Sequence, residues 1–118
     1  MEPVTYHQKL KTKMDKYVHL IYTLTREFPK EEIYGITSQI RRSAVSVILN
    51  YIEGYARGSK KVNRNFLQIS YGSLQESKYL LDFCVVEKYL KLEEYKRAAV
   101  LADDIGAMLW GIIRKLKD

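Results

Sequence analysis

Few residues in this 118-residue chain have the type and spacing that chemistry demands. A two-metal site in a helical bundle needs inward carboxylates with Glu-x-x-His pairs, and neither His7 nor His19 has a glutamate three residues before it. Asp15 and His19 stand four apart, the spacing of a solvated helical pair. Cys84 lies among Leu81, Phe83 and Val85, the setting of a buried, inert thiol rather than a nucleophile. The run "GYARGSKK" holds glycines and lysines without the spacing of a phosphate-binding loop that follows a strand. Glu53 and Glu76 are the carboxylates that remain, and they lack a second proton-transfer or metal-binding group. The pattern predicts no catalysis, no metal and no cofactor.

What the chain does offer is positive charge. Twenty Lys and Arg against fourteen Asp and Glu leave +6, a bias toward a polyanionic partner. A single cysteine precludes an internal disulfide, and no charged-then-apolar leader precedes the first polar run, "HQKLKTKMDK". Apolar runs such as "AVSVIL" fall far short of the roughly 20 residues needed to cross a bilayer. These features predict a cytoplasmic chain with no membrane association.

The elements that position the charges are helices. Leu10, Met14, Tyr17, Ile21, Leu24 and Phe28 alternate steps of four and three, one stripe of a first helix ending at Pro29. "PKEEIYG" reads as a helical turn opened by proline and stopped by Gly35, with Glu31 and Glu32 at its positive end. A second helix starts near Thr37 as its cap and runs to "ARGS". Ser59 caps a third, which carries Phe66, Leu67, Leu74, Leu81 and Cys84 and fades near Tyr89. In the fourth, Tyr95, Ala98, Ala102, Ile105, Leu109, Ile112 and Leu116 step 3-4-3-4-3-4, the seam of coiled-coil packing. No strand period and no repeat of solenoid length interrupts the pattern. The expected architecture is all-α: a single domain over residues 1–118, an antiparallel up-down-up-down four-helix bundle.

The second helix has more apolar surface than one core needs. Ile40, Ala44, Val47, Ile48, Tyr51, Ile52 and Tyr55 form a core face, and Val45, Leu49 and Ala56 carry the apolar arc beyond the roughly 100° a monomeric bundle uses. Another copy of the chain is the commonest second partner; scattered exposed aliphatics are the alternative. The polar remainder has partners on the third helix. Folding that helix back about Ser59 brings Arg42 level with Glu76, Asn50 with Gln68, and Glu53 with Arg64 or Asn65. Arg42, Asn50, Glu53 and Glu76 are thus expected to form a structural polar seam.

In this layout one end of the bundle collects Lys9, Lys11, Lys13, Arg57, Lys60, Lys61, Arg64, Arg114, Lys115 and Lys117, while the other collects Glu27, Glu31, Glu32, Glu87, Glu93 and Glu94. Arg57, Arg114, Lys115 and Lys117 relieve the negative poles of helix C-termini. Lys60, Lys61 and Arg64, and Lys9, Lys11 and Lys13, sit near helix starts, where the dipole disfavours positive charge. A phosphate-rich partner accounts for them, because each neutralised phosphate releases counterions; a solvated, solubilising face is the alternative. Most of the ten tyrosines, including Tyr17, Tyr51, Tyr55 and Tyr95, are assigned to core stripes, leaving Tyr6, Tyr71 and Tyr79 for stacking on unpaired bases.

The run "FPKEEIYGITSQIRRSAVSVILNYIEGYARGS", followed by "FLQISYGSLQESKYLLDF", resembles the four-helix-bundle proteins encoded by intervening sequences in bacterial large-subunit ribosomal RNA genes. The likeness covers Phe28 to about Phe83. Its most specific parts are "FPKEE.YG.TSQIRR", the spacing of Asn50, Glu53 and Gly54, and Gly72, Ser73, Leu74 and Glu76. Relatives read like "SIPANIAEG" where this chain has "SVILNYIEG", so Ile48 stands in place of a proline and leaves the helix straighter. The resemblance implies a left-handed bundle assembled as a ring, most simply a homopentamer. It also implies kinship with accessory proteins of diversity-generating retroelements, which associate with a reverse transcriptase and with nucleic acid. Two functions follow: an oligomeric bundle that binds RNA or DNA through its basic end, or an adaptor subunit docking onto a reverse transcriptase. A small hydrolase or metal enzyme is the third and weakest reading.

Overall fold

A computed structural model describes residues 3–116 and contains four helices joined by short connections. Helix α1, Tyr6–Thr25, starts at a reciprocal cap: the Gln8 amide donates to Thr5 Oγ1 at 3.1 Å and the Thr5 amide to Gln8 Oε1 at 2.8 Å. Two amides that a helix start would leave open are thereby satisfied. The helix buries Leu10, Met14, Tyr17, Ile21 and Leu24, the stripe the spacing predicts. It stops at Thr25, short of Pro29, and Phe28 is buried beyond its end. The Thr25 hydroxyl donates back to the Ile21 carbonyl at 2.8 Å, a bond that competes with continuation of the helix.

A 3₁₀ turn over Lys30–Glu32 follows Pro29, as a proline-opened turn should. Helix α2, Ile36–Ala56, begins after Gly35, so Thr37 lies inside the first turn and does not cap it. Thr37 is buried with no partner for its hydroxyl, because it falls on the side that faces the core. The nearest substitute for a cap is Glu32, whose Oε1 accepts from the Ile36 amide at 3.5 Å and whose Oε2 accepts from the Tyr89 hydroxyl at 3.0 Å. Helix α3, Lys60–Val86, is capped by Ser59, which accepts from the Val62 amide at 3.4 Å. It ends where Lys88 turns into the left-handed region, φ 65°, and the amides of Tyr89 and Leu90 both donate to the Cys84 carbonyl. Helix α4 spans Leu92–Lys115. No helix among the described residues is long and apolar enough to cross a membrane.

The helices touch in cyclic order, α1 to α2 to α3 to α4 and back to α1, leaving α1 and α3 on a diagonal. The long dimension of 44 Å matches α3, whose 27 residues span about 40 Å at 1.5 Å each. On α3 the inward positions are Leu67, Ser70, Leu74, Ser77, Leu81 and Cys84, all buried. Serine at two of these positions lets neighbours approach and gives them something to bond. Tyr17 reaches across the diagonal to donate to Ser77 Oγ at 2.8 Å, and Ser77 donates to the Leu74 carbonyl at 2.8 Å. Burial of that phenol, opposed by the Ser77 bond, pushes its pKa up to about 12. Ser70 Oγ donates to the Val47 carbonyl of α2 at 2.6 Å, and the hydroxyls of Ser46 and Ser73 meet at 2.8 Å.

Two apolar expectations shift. On α2, Ile40, Ala44, Val47 and Tyr51 are core, but Ile52 and Tyr55 are 43% and 42% exposed, as is Leu49 at 57%. The core face is therefore narrower, and the exposed apolar flank wider, than the periodicity alone implies. On α4 the last fully buried position is Ile113, while Ile112 and Leu116 of the expected seam pack against the core only partly buried, because a straight 3.6-residue helix drifts from a strict heptad.

Candidate nucleic-acid interface

The start of α1, the turn between α2 and α3, and the end of α4 meet at one cleft of about 610 Å³, lined by Tyr6, His7, Tyr55, Asn63, Gly111, Ile112, Arg114, Lys115 and Leu116. An aromatic group holds these ends together. Tyr6 donates to the Met108 carbonyl at 2.9 Å, His7 Nδ1 lies 2.8 Å from the Tyr51 hydroxyl, and the Tyr55 ring stands edge-on to His7 at 4.9 Å. Burial, with Tyr55 and Tyr6 adding to it, raises the Tyr51 pKa above the usual phenol value, and burial raises that of Tyr55 as well. Of these two phenols, Tyr55 lines the cleft as a neutral wall. No carboxylate lines this cleft among the described residues, and Arg114 and Lys115 supply its charge.

The opposite end has a cleft of nearly equal size, about 620 Å³, but its charges cancel: Glu27 and Glu94 line it together with Lys88 and Lys91. The two end clefts thus differ in charge, the first cationic and the second balanced rather than acidic.

The structure separates the expected cations into two groups. Lys13 is half-buried and held by Asp104 at 3.4 Å. Arg57 is bound to Glu53 of its own helix at 2.6 Å and 2.8 Å, and its guanidinium lies 5.4 Å over the Phe66 ring. Both are occupied. Lys9, Lys11, Lys60, Lys61, Arg114 and Lys115 are exposed and form no salt bridge among the described residues. Arg64 also forms none, but it is half-buried, with Nε out of contact with solvent and without a hydrogen-bond partner. Lys117 lies outside the described residues.

The polar seam differs in its pairings. Arg42 and Glu76 face one polar groove with Gln39, Ser43, Ser46 and Ser73, yet form no ion pair. Asn50 donates to the Ser46 carbonyl at 2.8 Å and hydroxyl at 2.9 Å instead of meeting Gln68. Glu53 takes Arg57 rather than Arg64 or Asn65, since a partner one turn away on the same helix costs less ordering than one across the groove. The serines, not the charged residues, set the α2–α3 register. At the end of that contact, Gly54 packs so closely on α3 that an added Cβ would lie 2.5 Å from Asn63 Oδ1.

Four residues contribute beyond those that the sequence pattern singles out. Arg41, not its neighbour Arg42, ties α2 to the end of α1: its Nε donates to Thr25 Oγ1 at 2.8 Å and it stacks 4.6 Å over Tyr22. Trp110 is 46% exposed beside Tyr71. Ser70 and Ser77 fill the gaps in the leucine stripe of α3, and that spacing could have revealed them. Among the described residues no cluster of three or more His, Cys, Asp or Glu stands ready for a metal. Burial, with Glu32 nearby, pushes the Cys84 thiol up to about 11, far from a nucleophile's range.

The family model described as 23S rRNA-intervening sequence protein matches residues 7–111. No curated protein matches the chain. Among solved structures, a crystal structure of a protein with unknown function from the S23 ribosomal protein family of Bacteroides thetaiotaomicron VPI-5482 is similar at a TM-score of 0.86 and 23% identity, covering 93% of this chain and 99% of that one. At that identity the likeness is one of fold.

Proposed function

The chain belongs to the 23S rRNA-intervening sequence protein family, and from that premise we propose that it is a non-catalytic, oligomeric helical bundle that binds nucleic acid through its basic end. The preference for RNA over DNA rests on the ribosomal-RNA setting in the family's description. The observation that carries the reading is the contrast between the two end clefts, one cationic with no lining carboxylate among the described residues and one with balanced charge. Phosphates are the ligand that exploits such a surface, since each one neutralised releases counterions. Lys60 and Lys61 open α3, where the helix dipole makes their charge mildly unfavourable without a ligand.

The bundle is antiparallel, up-down-up-down, and copies assemble as a ring, a homopentamer in the simplest form. Exposed Leu49 and Ile52 on α2, and Ile69 and Phe83 on α3, support self-association. A ring repeats the basic end in every copy, so weak contacts add through avidity. Those same apolar residues favour a second reading, an accessory subunit docking onto a reverse transcriptase of a diversity-generating retroelement. Sedimentation of the purified chain separates the two: a stable ring covers these residues by itself, whereas a monomer awaits another protein.

The test of binding is the double reversal Lys60→Glu/Lys61→Glu against a structured RNA. Removing two phosphate contacts lowers the slope of log affinity against log salt by roughly 1.4 to 1.8 per engaged protomer, at about 0.7 to 0.9 per contact. Arg57→Ala, whose guanidinium is already bonded to Glu53, leaves the slope unchanged. An unaltered affinity in the double reversal, with oligomer size intact, removes the basic end from the interface.

A further inference from the structure

Trp110 is the only tryptophan of the chain, and α4 does not bury it. The helix turns Ala102, Ile105, Leu109 and Ile113 inward, which leaves position 110 on the flank toward α3. There its ring lies 5.5 Å from the Tyr71 ring at an interplanar angle of 44°, and 46% of the residue is exposed. One edge of the indole is thus fixed by a half-buried tyrosine and much of the remainder is open, a large apolar surface on a rigid support.

The charges along the same α3–α4 groove are ordered. Away from the basic end, the acids are taken: Asp103 is held by Lys78 at 2.7 Å, and Asp82 accepts from the Tyr95 hydroxyl at 2.7 Å. Toward the basic end, Arg114 follows Trp110 by one helical turn, and Arg64 precedes Tyr71 by two turns on α3. Neither arginine forms a salt bridge among the described residues, and Arg64 Nε has no hydrogen-bond partner. The groove therefore presents two arginines, then an aromatic pair, then a neutralised stretch. An apolar protein segment laid there would desolvate the exposed Arg114 and what remains open of the half-buried Arg64 without pairing either, whereas a polynucleotide offers a ring for the indole and phosphates for the arginines.

We infer that the α3–α4 groove takes a single-stranded segment of nucleic acid, one base stacking on Trp110 while adjacent phosphates meet Arg64 and Arg114. The inference rests on the binding function proposed above and specifies its ligand as unpaired: within a duplex the base faces are covered by their neighbours, and only unstacked bases can be splayed onto aromatic side chains. Tyr71 acts as the support of the platform and Trp110 as its contact surface.

The test uses the full chain, a 12-nucleotide oligoadenylate RNA and a 12-base-pair RNA duplex as probes. The single strand is expected to quench the emission of Trp110, the sole indole present. Trp110→Ala is expected to weaken the single strand by about tenfold or more, the loss typical of one stacked base, while Trp110→Phe restores most of the affinity and the duplex is bound equally by all three proteins. Equal affinity of Trp110→Ala and the parent chain for the oligoadenylate overturns the inference, as does emission unmoved by the bound strand. Emission that shifts with protein concentration alone assigns the indole to contact between copies and overturns it too. If Trp110→Ala is neutral while Lys60→Glu/Lys61→Glu abolishes binding, only the groove is refuted; if the parent chain binds neither probe, the proposed function falls with it.

Discussion

Replacing Gly54 by alanine places a methyl group where α2 comes closest to α3. An ideal Cβ there lies 2.5 Å from Asn63 Oδ1, 3.1 Å from Phe66 Cβ and 3.2 Å from the Asn63 carbonyl oxygen. The first neighbour is the end of a side chain that can rotate away. The other two are fixed to the α3 backbone, so they can retreat only if the helices part. Overpacking of this kind costs about 1–3 kcal/mol, and the better helix propensity of alanine returns about 1 kcal/mol, leaving a net loss of up to about 2 kcal/mol. Gly72→Ala is the matched control. It makes the same change inside α3, where an added Cβ meets nothing within 4 Å, and should stabilise by about 1 kcal/mol. Gly58→Ala marks the opposite case, because Gly58 has φ +76° in the α2–α3 turn and alanine there loses about 1 kcal/mol or more. Urea unfolding followed by far-ultraviolet circular dichroism, at one fixed protein concentration, ranks the three variants. The argument for close helix approach is refuted if Gly54→Ala is more stable than the parent chain and tracks Gly72→Ala.

Two further outcomes follow from local geometry. Lys88→Gly should raise the urea midpoint, by about 1 kcal/mol in stability, because a side chain at φ 65° carries a left-handed penalty that glycine escapes; an unchanged midpoint would show that the turn tolerates lysine without strain. At high pH the folded chain should lose stability through its buried acids. Cys84 is raised from 9.0 to about 11 and Tyr17 from 10.0 to about 12, both chiefly by burial, so the native state holds protons that the unfolded chain releases. Their contribution is complete below about pH 9 and is lost as pH rises through 11 and 12. Tyr17→Phe should flatten the upper part of that decline while costing about 1 kcal/mol at neutral pH through the lost Ser77 bond, and a urea midpoint that stays level from pH 9 to 12 in the parent chain contradicts this.

The fold was legible wherever side-chain period alone decides it. Leu10 to Leu24 on α1 and Ala98 to Leu109 on α4 repeat at the interval of one buried face, and a face that must be buried leaves few alternatives. Ser59 announced the start of α3 because a cap is a local device, readable from one residue and the turn that follows. Thr37 misled for the same reason. Serine and threonine satisfy a start signal whether they stand before a helix or within its first turn, and the choice here was made by Gly35 and by the Glu32 carboxylate reaching forward. The leucine stripe of α3 looked interrupted because hydrophobicity was the criterion; in the packed bundle Ser70 and Ser77 are as buried as the leucines, their hydroxyls satisfied by Val47 and Leu74.

The candidate site was less legible, and the reason lies in what sets a charge free. Which end of the bundle is basic depends only on chain direction and helix count, and the sequence contains both. Which cations remain available depends on register between helices distant in sequence. Lys13 is taken by Asp104 through the fit of α1 against α4, and no spacing rule reaches across 91 residues. Arg57 is the contrary case, because Glu53 stands four residues before it, the most favourable arrangement on a single helix, and the local pair prevailed over the cross-helix partners expected for that glutamate. Trp110 escaped notice because the seam at Leu109 and Ile113 assigns position 110 to a helix flank, where a sequence reading expects nothing in particular. Only the tertiary placement of Tyr71 beside it, with Asp103 already held by Lys78, turns an incidental flank residue into an aromatic surface next to arginines that form no salt bridge among the described residues. In a helical bundle the core is written in periods along one chain, whereas a binding face is what remains after neighbouring helices have satisfied one another.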